Sequence, residues 1–126
     1  MKKVLLVDDE PLLREGLGRI LEIAGYLVIE AGDGIQALEK AFSEHPDIIV
    51  LDVSMPVMNG MQVLIRLREN PATEAIPVIL LSGYPEKLRA GATFAHTQQI
   101  SKPWHPGAIE TAISNALHQG ETVTGK

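Results

Sequence analysis

A doubly wound α/β sandwich, with five parallel strands in the order 2-1-3-4-5 and helices on both faces, is the fold class predicted by this 126-residue sequence. Three observations predict it. Short, almost purely apolar runs at Val4–Val7, Ile48–Leu51 and Val78–Leu81 read as strands buried on both sides, not as the alternating strands of a half-exposed sheet. Amphipathic segments with apolar residues at helical spacing lie between those runs. Right-handed crossovers then place the intervening helices on either side of one sheet.

Taken in order, Val4–Val7 is the first strand and ends in the acids Asp8, Asp9 and Glu10. Pro11 suits a first helical turn, and Leu13, Leu17, Ile20, Leu21 and Ala24 predict a core-facing helix that Gly25 stops. Leu27–Glu30 reads as the second strand, and Asp33 as the cap of a helix carrying Ala37, Leu38, Ala41 and Phe42, closed by His45-Pro46. Asp47–Leu51 is the third strand, with Asp52 at its tip; Met55-Pro56 and Asn59-Gly60 are turn signals. Met61, Val63, Leu64 and Leu67 mark a helix ending before Pro71. Pro77–Leu81 is the fourth strand, ending at Ser82-Gly83; a fourth helix from Pro85 to Arg89 is cut short by Gly91. The polar stretch His96–Ser101 reads as an edge strand before Lys102-Pro103. The last helix starts near Pro106, shows Ala108, Ile109, Ala112, Ile113, Ala116 and Leu117 on one face, and ends at Gly120. The folded unit is accordingly 1–120, with 121–126 as a loose tail.

Composition narrows the function classes. With 45% apolar residues the chain has enough material for the core of one soluble domain. Its net charge of −5, without a basic stripe or aromatic ladder, argues against direct nucleic-acid binding. No cysteine is present, which excludes disulfides and thiolate metal sites. No apolar run approaches the roughly 18 residues of a membrane span, and Met1-Lys2-Lys3 leads straight into a strand, so the expected location is the cytoplasm.

The chemistry lies at the strand ends. In the predicted order the first and third strands flank the switch point where open α/β sheets bind ligands, and both end in carboxylates: Asp8 and Asp9, and Asp52. Taken singly, Asp52 is an ordinary loop-entry acid, and Asp8, Asp9 and Glu10 are acids favoured by a helix dipole. Two carboxylates about 4 Å apart repel by roughly 4 kcal/mol at an effective dielectric of about 20, so a cluster needs a proton or a counter-charge. A hard divalent cation such as Mg²⁺ suits an all-oxygen donor set. The fourth strand ends in the Ser82 hydroxyl and the fifth in the Lys102 ammonium, each bland alone as a turn residue and a solvated charge. Together, acid pair, single acid, hydroxyl and lysine make a crevice able to carry an anionic group on Asp52, with cation and Lys102 neutralising its oxygens.

These residues closely resemble the receiver domain of two-component response regulators, a flavodoxin-like fold, from Lys3 to about His118. The resemblance rests on Val7-Asp-Asp-Glu10, Asp52-x-x-Met-Pro-x-Met-Asn-Gly60, Leu81-Ser82-Gly83 and Lys102-Pro103. It implies that Asp52 is the phosphoacceptor, that Asp8, Asp9, Asp52 and the backbone carbonyl of Ser54 hold Mg²⁺, that Ser82 is the switch hydroxyl, and that Lys102 contacts the acyl phosphate. It further implies a sensor histidine kinase or phosphotransfer protein as donor, a downstream effector protein or domain, and a phosphorylation-dependent homodimer as one form of output. Such a module is a signalling domain and not a turnover enzyme, limited to self-phosphorylation from small phosphodonors and slow autodephosphorylation.

Competing readings share parts of this chemistry. A phosphatase or phosphotransferase of the haloacid dehalogenase type also forms an aspartyl phosphate, but it uses a second acid two residues on, where this chain has Ser54. A flavodoxin-like cofactor domain wants a phosphate cradle after the first strand, where this chain has acids. A degenerate receiver used only for docking is disfavoured by the intact Asp52 and Lys102. Two departures from the family concern readout: Gln99 stands where receivers usually carry an aromatic, and the pattern from Ser82 to Lys102 is atypical, with Tyr84 the nearest ring to the switch hydroxyl.

Overall fold

Strand residues alternate between two separate cores in the computed structural model, which describes residues 1–83, 95–105 and 107–122. The strands are β1 (Lys3–Val7), β2 (Leu27–Ala31), β3 (Ile48–Asp52), β4 (Val78–Ser82) and β5 (Thr97–Ser101). The described helices are α1 (Pro11–Ile23), α2 (Gly34–Glu44), α3 (Gly60–Glu69) and α4 (Ala108–Thr122). All strand pairs are parallel, in the order β2-β1-β3-β4-β5. Leu5, Val7, Ile49, Leu51, Val78 and Leu80 pack with Ala37 and Ala41 of α2 and Val63, Leu64 and Leu67 of α3. Val4, Leu6, Ile48, Val50, Ile79 and Leu81 pack with Leu17 and Leu21 of α1 and Ile109, Ala112 and Ile113 of α4. The period of two along each strand thus feeds two helix layers, which is why the central runs are apolar throughout.

The edges differ from the centre. β3 and β4 are buried along their whole length, whereas β5 is only partly buried and polar, matching its place at the sheet edge. Local chemistry fixes the helix starts. Pro11 opens α1, Asp33 accepts from the Gln36 amide at 2.8 Å to cap α2, and Asn59 and Gln62 form a reciprocal capping box on α3.

Some expectations need correction. Asn59-Gly60 does not make a turn of its own but begins α3. On α1 only Leu17, Gly18 and Leu21 are buried, while Leu13 and Ile20 are largely exposed and Ala24 lies past the helix end. Leu17 and Leu21 of the expected stripe do face the sheet, but large apolar residues flank them, so periodicity alone drew the core face too wide. Phe42 on α2 is likewise exposed. The last helix passes through Gly120 to Thr122, so the start of the expected loose tail is helical; a glycine raises the local cost of helix by only about 1 kcal/mol. The short fourth helix, Tyr84, Pro106 and the final four positions, 123–126, lie outside the described residues.

Candidate functional site

The parallel register brings the acids together. Val7 pairs with Leu51 across β1 and β3, so the next residues along, Asp8 and Asp52, leave the sheet side by side. Both are almost fully buried, at 2% exposure each. Asp9, more open to solvent, completes a group in which carboxylate oxygens of Asp8, Asp9 and Asp52 lie within 4.8 Å of one another. Burial pushes the Asp8 carboxyl up from its usual range; the Glu10 amide counters this, donating to Asp8 Oδ1 at 2.9 Å, while the neighbouring Asp52 charge adds to the rise. Lys102 lowers it and Asp9 raises it to lesser degrees. The group is electrostatically under-neutralised, and its oxygen-only donors fit a hard cation such as Mg²⁺.

One cation already reaches in. Lys102 Nζ donates to Asp52 Oδ1 at 2.8 Å, and the Ser54 N–H donates to the same oxygen at 3.1 Å. Lys102 is positioned by its own backbone, whose N–H donates to the Ser82 carbonyl at 2.8 Å. Ser82, 3% exposed, ends β4 directly beside the tip of β3, where the Val53 N–H donates to the Leu81 carbonyl at 3.0 Å. Every expected side chain at the strand ends therefore converges on one crevice: Asp8, Asp9, Asp52 and Lys102 in direct proximity, Ser82 on the adjoining strand, and Ser54 on the loop above Asp52. Two residues beyond Lys102, Trp104 packs its ring against the core shared with α1 and α4 and lines a shallow hollow with Lys102 and Pro103.

Two contributors escape a reading of the sequence. A Cβ built on Gly60 would lie 2.6 Å from the Asp52 carbonyl oxygen and 2.7 Å from Val53 Cα, so only glycine lets α3 start this close to the tip of β3. The Gly60 N–H donates to the Val53 carbonyl at 3.0 Å. Its signal in the sequence was the Asn-Gly pair, which reads equally well as a turn. The second is Arg14, whose Nη1 donates to the Asp8 carbonyl at 2.6 Å and whose Nε pairs with Glu30 Oε1 at 2.8 Å. An arginine in the first turns of an amphipathic helix gives no sequence signal of such a role.

Comparison with known proteins agrees with this geometry. A family model described as the response regulator receiver domain matches residues 4–114. The alkaline phosphatase synthesis transcriptional regulatory protein PhoP of Bacillus subtilis is 35% identical over 122 residues, covering 95% of this chain and 50% of that protein. The nitrate/nitrite response regulator protein NarL of Escherichia coli is 40% identical, covering 95% of this chain and 56% of that protein. The chain thus spans about half the length of these curated relatives. Among solved structures, response regulator protein TrrA from Thermotoga maritima, in complex with Mg²⁺-BeF, superposes with a TM-score of 0.80 at 30% identity, covering 92% of this chain and 99% of that one. A parallel sheet in the order 2-1-3-4-5, an acidic group at the ends of β1 and β3 and a family match across nearly the whole chain give one conclusion: the protein belongs to the response regulator receiver domain family.

Proposed function

We propose that Asp52 accepts a phosphoryl group from a phosphohistidine of a sensor histidine kinase or phosphotransfer protein, and that the resulting change is passed to a downstream effector protein or domain. The observation that carries this reading is the meeting of buried Asp52 with Lys102 at 2.8 Å inside an under-neutralised acidic group. Lys102 and the Ser54 amide hold Oδ1, which leaves Oδ2 as the attacking oxygen. As the O–P bond forms, the P–N bond to the donor imidazole breaks, and the departing nitrogen takes its proton from solvent. Lys102 then follows the charge onto a phosphoryl oxygen, and the Ser82 hydroxyl donates to another. Asp8, Asp9, Asp52 and the Ser54 carbonyl would hold Mg²⁺, which would supply charge neutralisation for the phosphoryl oxygens. TrrA, with its Mg²⁺-BeF, supports that assignment by likeness.

The same residues limit turnover. Ser54 stands two positions after Asp52, where it supplies no acid or base for hydrolysis, so self-phosphorylation from small phosphodonors and slow autodephosphorylation are the expected reactions. The folded unit acts in the cytoplasm without direct contact to nucleic acid or membrane; among the described residues no helix is long and apolar enough to cross a membrane. A phosphorylation-dependent homodimer is one form its output takes. Intact-mass spectrometry after incubation with acetyl phosphate and Mg²⁺ tests the reading. One phosphoryl adduct is expected, absent in Asp52→Asn and absent with chelator. An adduct that survives either condition would remove Asp52 or the cation from the reaction.

A further inference from the structure

We infer that Arg14 is a positioning residue for the acidic group, fixing the backbone of Asp8 so that Asp8 and Asp9 present their carboxylates to a divalent cation. The inference rests on the cation reading above and deepens it. Asp8 is tied at several points: its N–H donates to the Ala31 carbonyl at 3.2 Å, its Oδ1 accepts from Glu10 N–H at 2.9 Å, and its carbonyl accepts from Arg14 Nη1 at 2.6 Å. The last bond is the one made by a side chain, and it holds the peptide that links Asp8 to Asp9. Arg14 is itself held, since its Nε lies 2.8 Å from Glu30 Oε1 on β2 and its side chain is only 19% exposed. Glu30 is anchored in turn, because its carbonyl accepts from Lys40 Nζ of α2 at 2.5 Å. Gly32 leaves room for the guanidinium, as a Cβ there would stand 3.2 Å from Nη1.

The role is geometric and not electrostatic. Arg14 reaches the main-chain carbonyl of Asp8, whereas the Asp8 carboxylate is held by the Glu10 N–H. Glu30 neutralises the guanidinium, so little positive charge is left to repel an incoming cation. A planar fork reaches a carboxylate and a carbonyl at once; a lysine ammonium in the same place cannot hold both with the same rigidity. Groups that orient metal ligands typically change metal affinity by about 10-fold to 100-fold when removed.

The test is Mg²⁺ titration of the full chain followed by amide chemical shifts, with thermal melting in chelator measured in parallel. Arg14→Met is expected to raise the Mg²⁺ dissociation constant about tenfold. Arg14→Lys should fall between it and the parent. Glu30→Gln, which keeps the acceptor for Nε but removes the charge, should bind Mg²⁺ within about twofold of the parent. If Arg14→Met binds Mg²⁺ like the parent, whatever its melting temperature, Arg14 is only a strut between α1 and β2 and the inference fails. If Glu30→Gln loses as much affinity as Arg14→Met, charge and not position is at stake and the inference also fails. Should Arg14→Met not fold, Glu30→Ala, which frees the guanidinium from β2, takes its place with an expected loss in the same direction and parent-like affinity as the contrary result. A parent protein that binds no Mg²⁺ would overturn the cation reading itself, which the other outcomes leave standing.

Discussion

Asp8 is the residue at which burial and charge pull hardest against each other. Its folded-state pKa is raised above the ordinary 3.8, first by burial, so the native state holds its proton more tightly than the unfolded chain does. The sign follows from linkage: where the native state binds more protons, stability falls as pH rises from 3.8 through the raised value and then levels off. In chelator, Asp8→Asn is therefore expected to be more stable than the parent at neutral pH. The gain should shrink as the pH drops and vanish below 3.8, since Asn keeps an acceptor for the Glu10 amide. Urea unfolding across that range checks it; a variant weaker than the parent at pH 7 would show that the Glu10 bond to the carboxylate outweighs burial. Asp8, Asp9, Asp52, Ser82 and Lys102 were legible in the sequence because each lies at or just past the end of a strand. Arg14 was not, because its partner is a backbone carbonyl and carbonyls have no letter in a sequence.

At the scale of elements, the start of α3 carries two separable features. Gly60 permits close approach to β3, whereas Asn59 and Gln62 cap the helix. Gly60→Ala is expected to cost about 1–3 kcal/mol, because the added carbon meets backbone that has to shift, and the shift moves Asp52. Acetyl phosphate labelling should slow accordingly. Asn59→Ala is expected to cost about 1 kcal/mol through the lost cap while leaving labelling near the parent rate. Denaturant melts and labelling time courses on the pair separate the effects; equal labelling in both would mean that β3 tolerates the extra carbon. Helix caps such as Asp33 and Pro11 could be read from sequence, being local. The width of the buried face of α1 could not, since Leu12 and Ile23, exposed at 84% and 82%, put apolar side chains outside the core face that holds Leu17 and Leu21.

For the whole molecule, strand order was legible because apolar runs, crossover handedness and strand-end polarity all point to one topology. How a phosphoryl group at one end of the sheet alters a distant face was less so. β5 carries Gln99, partly buried and paired with Leu80, at the position where the family usually has an aromatic ring. With no ring to bury there, a beryllofluoride mimic with Mg²⁺ is expected to slow amide exchange just after Ser82 while leaving residues 97–101 near their unmodified rates. Exchange in β5 that changes as much as in the segment after Ser82 would show that the strand takes part without its ring.

Trp104 gives the crevice an optical voice. It is the single tryptophan of the chain, and it shares a hollow with Lys102 while its ring rests on the α1 and α4 core. Movement of the ammonium away from Asp52 is expected to change the surroundings of that indole, because the two side chains line the same hollow. Its emission therefore offers a label-free clock for occupancy of the site, readable in a stopped-flow cell on the protein as it is.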